Sequence, residues 1–526
     1  RPHRGRRTRG GLMYSNPVIK GTAPDPSAIR VGEDYYLATS TFDMLPGVTI
    51  WHSRDLVDWR VVGHAVSRPS QYRRDGEPGP MVLFAPTIRH HDGMFYVACT
   101  NAVPGQGNFL VTTRDITGEW SDAIWIDQEG FDPSLFRDDD GTWYYTRRRL
   151  EFRPDGGLGP IVQATIDVTT GELGEVREIT APHGFASNDI EGPHLYRRGD
   201  WYYLCSAEGG SWRGHMQTVA RSRSPWGPFE ASPHTPLLTH RHLVANRIQS
   251  LGHAELLDAA DGTSWAVALG TRHPRMAQHH NVGREVYLLP VEWIDGWPVA
   301  GAAGDGTTRL EVDHPTPAPA PGAGPDVPDT LWTRRWRTVG AAPAGLSATD
   351  PDARIVLPAG ADPRAAGRAS GDVGALLRPQ TEDDQAFSAT VDVPGPGIAA
   401  GIAAYADPTH AYALTVSRGS SGATVVTATR TVDDMVMETS VAVPGAGPVT
   451  LRIEGRETAY ALLADAGDGP VEVTRGSARL LSAEACQWFV GVHWTLLALG
   501  ATGSVEFRAV TVEDLEAGAP ASPVPF

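Results

Sequence analysis

Two aspartates, a glutamate and a histidine stand at corresponding places in a phrase that recurs five times in the first half of the chain. The clearest copy is FDPSLFRDDDGTWYY at 131–145. The others are PDPSAIRVGEDYYLA (24–38), APTIRHHDGMFYVA (85–98), EGPHLYRRGDWYYL (191–204) and GHAELLDAADGTSWAVA (252–268). In order, the copies are headed by Asp25, Ala85, Asp132, Glu191 with Gly192, and Gly252 with His253. Any small turn residue would serve a purely structural repeat there, and Asp25 or Asp132 taken singly reads equally well as an Asx-turn residue. Acids at three of the five heads are more than turn chemistry asks for. Carboxylates and an imidazole gathered in one place carry protons, and they titrate as a coupled set.

The elements that must gather them follow from the repeat itself. The period is roughly 50 to 60 residues, in the range of propellers and other repeat architectures. Each copy holds an alternating strand, a Gly or Asp turn and a second strand, which is a hairpin. About four strands fit each period, and the fold class expected is all-β: a five-bladed β-propeller followed by a β-sandwich. The first strand of each blade lines the axis, so the five heads converge on one hole. Between the copies, Ile50-Trp51-His52 and Trp59-Arg60-Val61-Val62 read as further blade strands, and AEGGSW (207–212) as a tight turn near the axis. The run Arg147-Arg148-Arg149 reads as a solvated strand edge, and His279 and His280 as surface residues. The segment DGWPV (295–299) is expected to close the ring against the first blade and remove a sheet edge.

Composition then shifts. The chain divides into a propeller at 14–312, a Pro/Ala/Gly-rich linker at 313–328, semi-rigid by composition, and a β-sandwich accessory domain at 329–526. The last is inferred from short alternating segments such as FSATVDV, AYALTVS, VTLRIEG, YALLADA, WFVGVHW and VEFRAVTV. A net charge of −17 argues against a nucleic-acid partner. The 3 cysteines, Cys99, Cys205 and Cys486, are far apart and set up neither a disulfide framework nor metal-ligand spacing; Cys99 and Cys205 read as core. No apolar run reaches the ~18 residues of a membrane span. The basic start RPHRGRRTRGG lacks the apolar stretch of a secretory signal, and Met13 fits a natural start. A cytoplasmic location is the expectation, although a mature secreted protein would also lack its signal.

The heads PDPS, DPSLF and EGPHLY, taken with STF, APTIR, AEGG, GHA and GRE, closely resemble glycoside hydrolase family 43. The resemblance runs from Asn16 to Val299, with the motifs in the family's order. Further on, ALLRPQ, IAAYADPTHAYALTV and FVGV resemble the sandwich that accompanies the β-xylosidase and α-L-arabinofuranosidase members. The resemblance implies inversion by three acids. Asp25 would be the general base, Glu191 the general acid, and Asp132 the residue that orients the acid and raises its pKa. His253 would sit on the axis, beside a structural cation such as calcium in some members, with no cofactor required. Arg284 of the GRE motif would bind sugar hydroxyls and steady Asp132. Phe84 stands where many members carry Trp, which keeps an aromatic wall of different shape. Phe42 and Phe131 are the other candidates to stack on a sugar.

The chemistry under this resemblance needs one carboxyl protonated and one ionised, roughly 6.5–9.5 Å apart for inversion. The function expected is exo release of a terminal β-D-xylosyl or α-L-arabinofuranosyl unit from plant hemicellulose oligosaccharides, as in xylan degradation. The sandwich is expected to wall the pocket, with Trp488 and Trp494 on its contact side or in its core. The partners expected are an oligosaccharide substrate, no nucleic acid and no membrane, with a homo-oligomer left open. Two other readings remain. A non-catalytic carbohydrate-binding propeller is disfavoured by retention of all three acids. A retaining invertase-like fructosidase is disfavoured by Pro24-Asp25-Pro26-Ser27 in place of Asn-Asp-Pro-Asn.

Overall fold

The structure is a computed structural model that describes residues 13–516, apart from 152–158, 182–183, 188, 276, 351–352, 366–372 and 445–446. The basic start at 1–12 lies outside the described residues. Contacts divide the chain into two units, Arg1–Arg272 with Glu285–Val327, and His273–Arg284 with Pro328–Phe526. No described helix is long and apolar enough to cross a membrane.

The first unit holds five consecutive antiparallel sheets of at least four strands. The third is typical: Phe131–Arg137, Trp143–Arg148, Ile161–Thr165 and Arg177–Glu178, paired in sequence order. Its first strand largely alternates apolar and polar side chains, its second is aromatic and then basic, and a charged turn ending at Gly141 (φ 93) reverses the chain between them. Each copy of the repeated phrase forms the first two strands of its sheet. The five first strands are Ser27–Val31, Thr87–His91, Phe131–Arg137, Glu191–Arg198 and Ile248–Asp258. The first four pack on one another in that order, and Ile248–Asp258 packs on both the first strand and the fourth sheet. Apolar clusters fill the space between neighbouring sheets. Ile50, Val62, Val97 and Phe109 lie between the first and second, and Cys205, Val219, Ala268 and Leu289 between the fourth and fifth. Cys99 and Cys205 are buried, in keeping with a core role.

DGWPV does not close this arrangement. Trp297–Ala300 is the outer strand of the fifth sheet, paired with Val291 to Ile294. The chain start is tied down instead, with Tyr14–Ser15 pairing antiparallel to Glu311–Val312 and Ile19 bridging to Val286.

Where the first strands meet, a polar hub replaces apolar packing. Glu255, 1% exposed, lies 2.7 Å from Arg89 and 3.6 Å from His194, and accepts from the Ala28 N–H at 3.1 Å and from the Ser27 hydroxyl. Burial alone would raise the Glu255 carboxyl, but Arg89, His194 and the Ser27 hydroxyl overcome it and the net shift is downward. His194 is held at about 4, first by burial and then by Arg89, so it is neutral under ordinary conditions. These residues come from the first, second, fourth and fifth sheets, so one carboxylate ties four sheets together.

The second unit stacks a seven-stranded sheet against a six-stranded one. Their facing residues, among them Phe387, Leu451, Leu414, Leu496, Phe507 and Trp494, make one large core. WFVGVHW is not a strand throughout: the strand begins at His493, after a short helix Ala483–Cys486 and an irregular stretch. Trp494 is fully buried and donates to Gln385 Oε1 at 2.8 Å, so it belongs to the core.

Leaving Arg89 buried beside a neutral partner is costly, because a broken buried pair typically costs about 3–5 kcal/mol. Glu255→Gln should lower the unfolding free energy of the first unit by that amount, seen as a lower midpoint in chemical denaturation. An unchanged midpoint would show that the hub does not bind the sheets.

Candidate active site

Four of the five heads share one backbone conformation. Asp25 (φ 56), Asp132 (φ 57), Gly192 (φ 55) and His253 (φ 44) are all left-handed. In three of these sheets the pairing register slips at the head: between Phe131 and Ser134, between Glu191 and His194, and on both sides of Gly252. A bulge of this kind bends the strand and re-aims a side chain. The backbone also corrects the alignment of the heads. Gly192, not Glu191, stands in the place of Asp132 and His253, and Glu191 precedes it. Glycine is required at 192 because a Cβ there would come 2.9 Å from Cε1 of His253.

The heads bring the candidate groups together. Asp25 Oδ1 is 3.7 Å from His253 Nδ1, and Asp25 Oδ2 accepts from the Ser40 hydroxyl at 2.5 Å. Asp132 Oδ2 accepts from the Gly192 N–H at 3.0 Å, which ties the third sheet to the fourth next to Glu191. Asp132 thus uses its carboxylate across sheets rather than only to cap its own turn. Glu191 Oε2 is 2.8 Å from Arg148. Burial pushes the Asp132 carboxyl up to about 7. His253 opposes the rise, Glu191 and Asp25 add to it, and the Gly192 N–H opposes it. Asp25, Glu191 and His253 thus all act electrostatically on Asp132.

An aromatic row borders them. Phe42 and Phe84 meet edge to face at 6.1 Å, and Phe84 and Phe131 at 5.8 Å. Phe84 and Phe131 are half-buried and keep part of their ring surface exposed, whereas Phe42 is 2% exposed. Arg284 is buried and is described with the second unit, where its guanidinium lies 4.7 Å over the Phe489 ring of the FVGV segment.

Several residues were not singled out from sequence, or were misread. Arg147 and Arg148 do not form a solvated edge, since both are 2% exposed. The hairpin pairing Arg137↔Trp143, extended without a slip, would bring Arg149 opposite Phe131; the register slip between Phe131 and Ser134 puts Arg148 there instead. Glu208 of the AEGG motif is a clamp. Its carboxylate accepts from the N–H groups of Phe185, Ala186 and Ser187 at 2.6–2.9 Å and so fixes the chain leading to Glu191. His280 is not on the surface but 3% exposed, with Nδ1 at 2.9 Å from Glu484 Oε1 and its N–H donating to Oε2 at 3.0 Å. Among the described residues, the groups with three ligand-type atoms within 4.8 Å are His273, His280 and Glu484, and Asp407, His410 and Cys486. Neither includes His253. The bonds to His280 occupy both oxygens of Glu484.

The state of Asp132 has a measurable consequence. Between the ordinary carboxylate value and about 7, the folded state holds a proton here that the unfolded state has lost. Stability at this position is therefore present at low pH and falls as pH rises through that window. Asp132→Asn mimics the protonated form. It should stabilise the protein by on the order of a few kcal/mol at about pH 8, by clearly less at about pH 5, and hardly at all below the ordinary carboxylate range, read as melting temperature at each pH.

Comparison with known proteins agrees with this geometry. The family model for glycosyl hydrolases family 43 matches residues 14–298, and that for the beta xylosidase C-terminal concanavalin A-like domain matches 370–513. The chain is 42% identical over 295 residues to the non-reducing end alpha-L-arabinofuranosidase BoGH43B of Bacteroides ovatus, covering 55% of this chain and 54% of that protein. It is 37% identical over 324 residues to the beta-xylosidase of Bacillus subtilis, covering 58% and 60%. The matched stretches thus span little more than half the length of these relatives. Among solved structures, the Bacteroides ovatus xyloglucan-locus GH43B superposes with a TM-score of 0.83 at 32% identity, over 96% of this chain and 100% of that one. The xylan beta-1,4-xylosidase of Bacillus halodurans gives 0.82 at 28%, over 94% and 98%. The chain belongs to the glycosyl hydrolases of family 43.

Proposed function

We propose that the five sheets are the blades of a five-bladed β-propeller, and that the protein is an inverting exo-glycoside hydrolase. Its substrate is a terminal β-D-xylosyl or α-L-arabinofuranosyl unit of a hemicellulose oligosaccharide. The observation that carries this reading is the set of three carboxylates brought together from different sheets, with Asp132 electrostatically joined to Asp25, Glu191 and His253. Family membership supports it, as do relatives whose names include both xylosidase and arabinofuranosidase.

In this mechanism Asp25 takes a proton from water, and the water oxygen attacks the anomeric carbon. Glu191 gives its proton to the glycosidic oxygen as the bond to that carbon breaks. The products are a free pentose of inverted configuration and a shortened chain. Asp132 holds Gly192 beside the acid and, when ionised, adds negative charge that favours the protonated form of Glu191. Phe84 and Phe131 offer ring surface to the sugar. His253 supplies a donor to its hydroxyls. No cofactor is needed for either proton transfer, and a cation beside His253 would act only on the placing of Asp25. Residues 329–526 are the accessory domain of the same reading.

Asp25→Asn and Glu191→Gln should each lower kcat on an unactivated xylo- or arabino-disaccharide by roughly a hundredfold to ten-thousandfold. An aryl pentoside with a good leaving group should partly rescue Glu191→Gln, which needs to supply less protonation, and should not rescue Asp25→Asn. Near wild-type turnover by either variant on the disaccharide would remove the assignment.

The first-formed pentose, followed by NMR, should have the anomeric configuration opposite to the substrate's. Retention would instead require a covalent intermediate. Rates on p-nitrophenyl β-D-xyloside and α-L-arabinofuranoside, measured side by side, separate the two pentoses.

A further inference from the structure

The three arginines at the end of Trp143–Arg148 and just beyond it turn three ways. Arg149 reaches Glu178 on the outer strand of its sheet. Arg147 pairs with Asp127 at 2.7 Å and Glu129 at 3.2 Å. Arg148 turns to the heads, where its Nη1 is 2.8 Å from Glu191 Oε2 and its Nη2 is 3.5 Å from Asp189 Oδ1. The guanidinium lies 5.1 Å over the ring of Phe131, the residue opposite it in the strand pair. Its plane is therefore set by an aromatic face on one side and its direction by carboxylates at the other end. A charge-assisted bond from such a fork is short and geometrically specific.

The groups that bear on Glu191 come from every element around it. Arg148 lies on the second strand of the third sheet, Asp132 on its first strand, and Asp189 in the segment before Glu191. Asp25 heads the first sheet, and His253 lies against Gly192 from the fifth. The carboxylates favour a protonated Glu191, and Arg148 favours an ionised one. A general acid that must keep its proton is thus bonded directly to a cation.

We propose that Arg148 is a positioning residue for Glu191: it fixes the carboxylate's direction toward the leaving oxygen and holds down the pH at which that carboxyl loses its proton. The inference rests on Glu191 being the general acid. The cost of the arrangement is a narrower basic range of activity. The gain is a carboxyl already oriented before substrate arrives, where misplacement by about 1 Å costs on the order of a hundredfold.

The test is the pH dependence of kcat/KM on an unactivated disaccharide, for the full chain carrying Arg148→Met, Arg148→Lys and, as a reference, Glu191→Gln. Arg148→Met should move the basic limb up by about one to three pH units. It should also lower kcat at the optimum by on the order of tenfold to a hundredfold. Arg148→Lys keeps the charge and loses the fork, so its basic limb should stay near the wild type while kcat still falls. A basic limb that does not move in Arg148→Met overturns the proposal, even if kcat falls, because loss of packing alone lowers kcat without shifting the limb. If Arg148→Met fails to fold, Arg148→Gln reads the same limb and decides in the same way. Failure of the underlying reading looks different: Glu191→Gln would then hydrolyse the disaccharide like the wild type, whatever the Arg148 variants do.

Discussion

A single left-handed residue at the head of the inner strand is what the site of the first unit depends on. Asp25, Asp132, Gly192 and His253 all adopt it, although three of the four carry side chains for which this region is disfavoured. A non-glycine residue held there costs on the order of 1–3 kcal/mol and persists only where the surroundings over-determine it. In return the strand bulges and its head side chain turns toward the neighbouring heads rather than along the sheet. Asp132 reaches the Gly192 N–H and Asp25 comes near His253 by this means. The strain is therefore located at the residues proposed to do the chemistry.

What holds the strained heads in place lies two residues further along each strand. Side chains at i and i+2 of a strand share a face. Ser27 follows Asp25, His194 follows Gly192 and Glu255 follows His253 at that spacing, and these three meet in the hub around Glu255. The layer of acids thus rests on a layer in which buried charge is already paired by Arg89. An apolar layer there would have left the strands free to slide, because apolar contacts are not directional. Charged groups with short bonds fix register, and register decides which way each head points.

The electrostatics of the heads are a balance rather than a single shift. Burial drives Asp132 toward the neutral form, and its acidic neighbours push the same way. Arg148 pulls Glu191 in the opposite sense. The two carboxyls thus have opposed neighbours, which suits the proposed division of labour between proton donor and supporting acid. The Glu208 clamp acts on geometry alone, fixing the backbone that delivers Glu191.

The sequence by itself carried the repeat, the all-β character, the change of composition at the linker and the acids Asp25, Asp132 and Glu191, because turn residues, strand alternation and motif order are local properties of the chain. It also carried the alternating strands of the second unit, although WFVGVHW shows the limit: apolar residues in a row read as a strand where the backbone stays irregular until His493. Only the tertiary structure decided the rest. Arg148 looked like a solvated residue because nothing in its own neighbourhood says that Glu191, 43 positions on, will lie 2.8 Å away. His280 looked exposed for the same reason, since its partner Glu484 is 204 positions distant. Nothing in the sequence set Glu255 and Arg89 apart, yet they form the hub, because four sheets must first be assembled before their charges can meet. The offset of Glu191 by one residue from the other heads was likewise hidden, since a bulge is a matter of backbone dihedrals and of the partner strand, and neither is written in the order of residues.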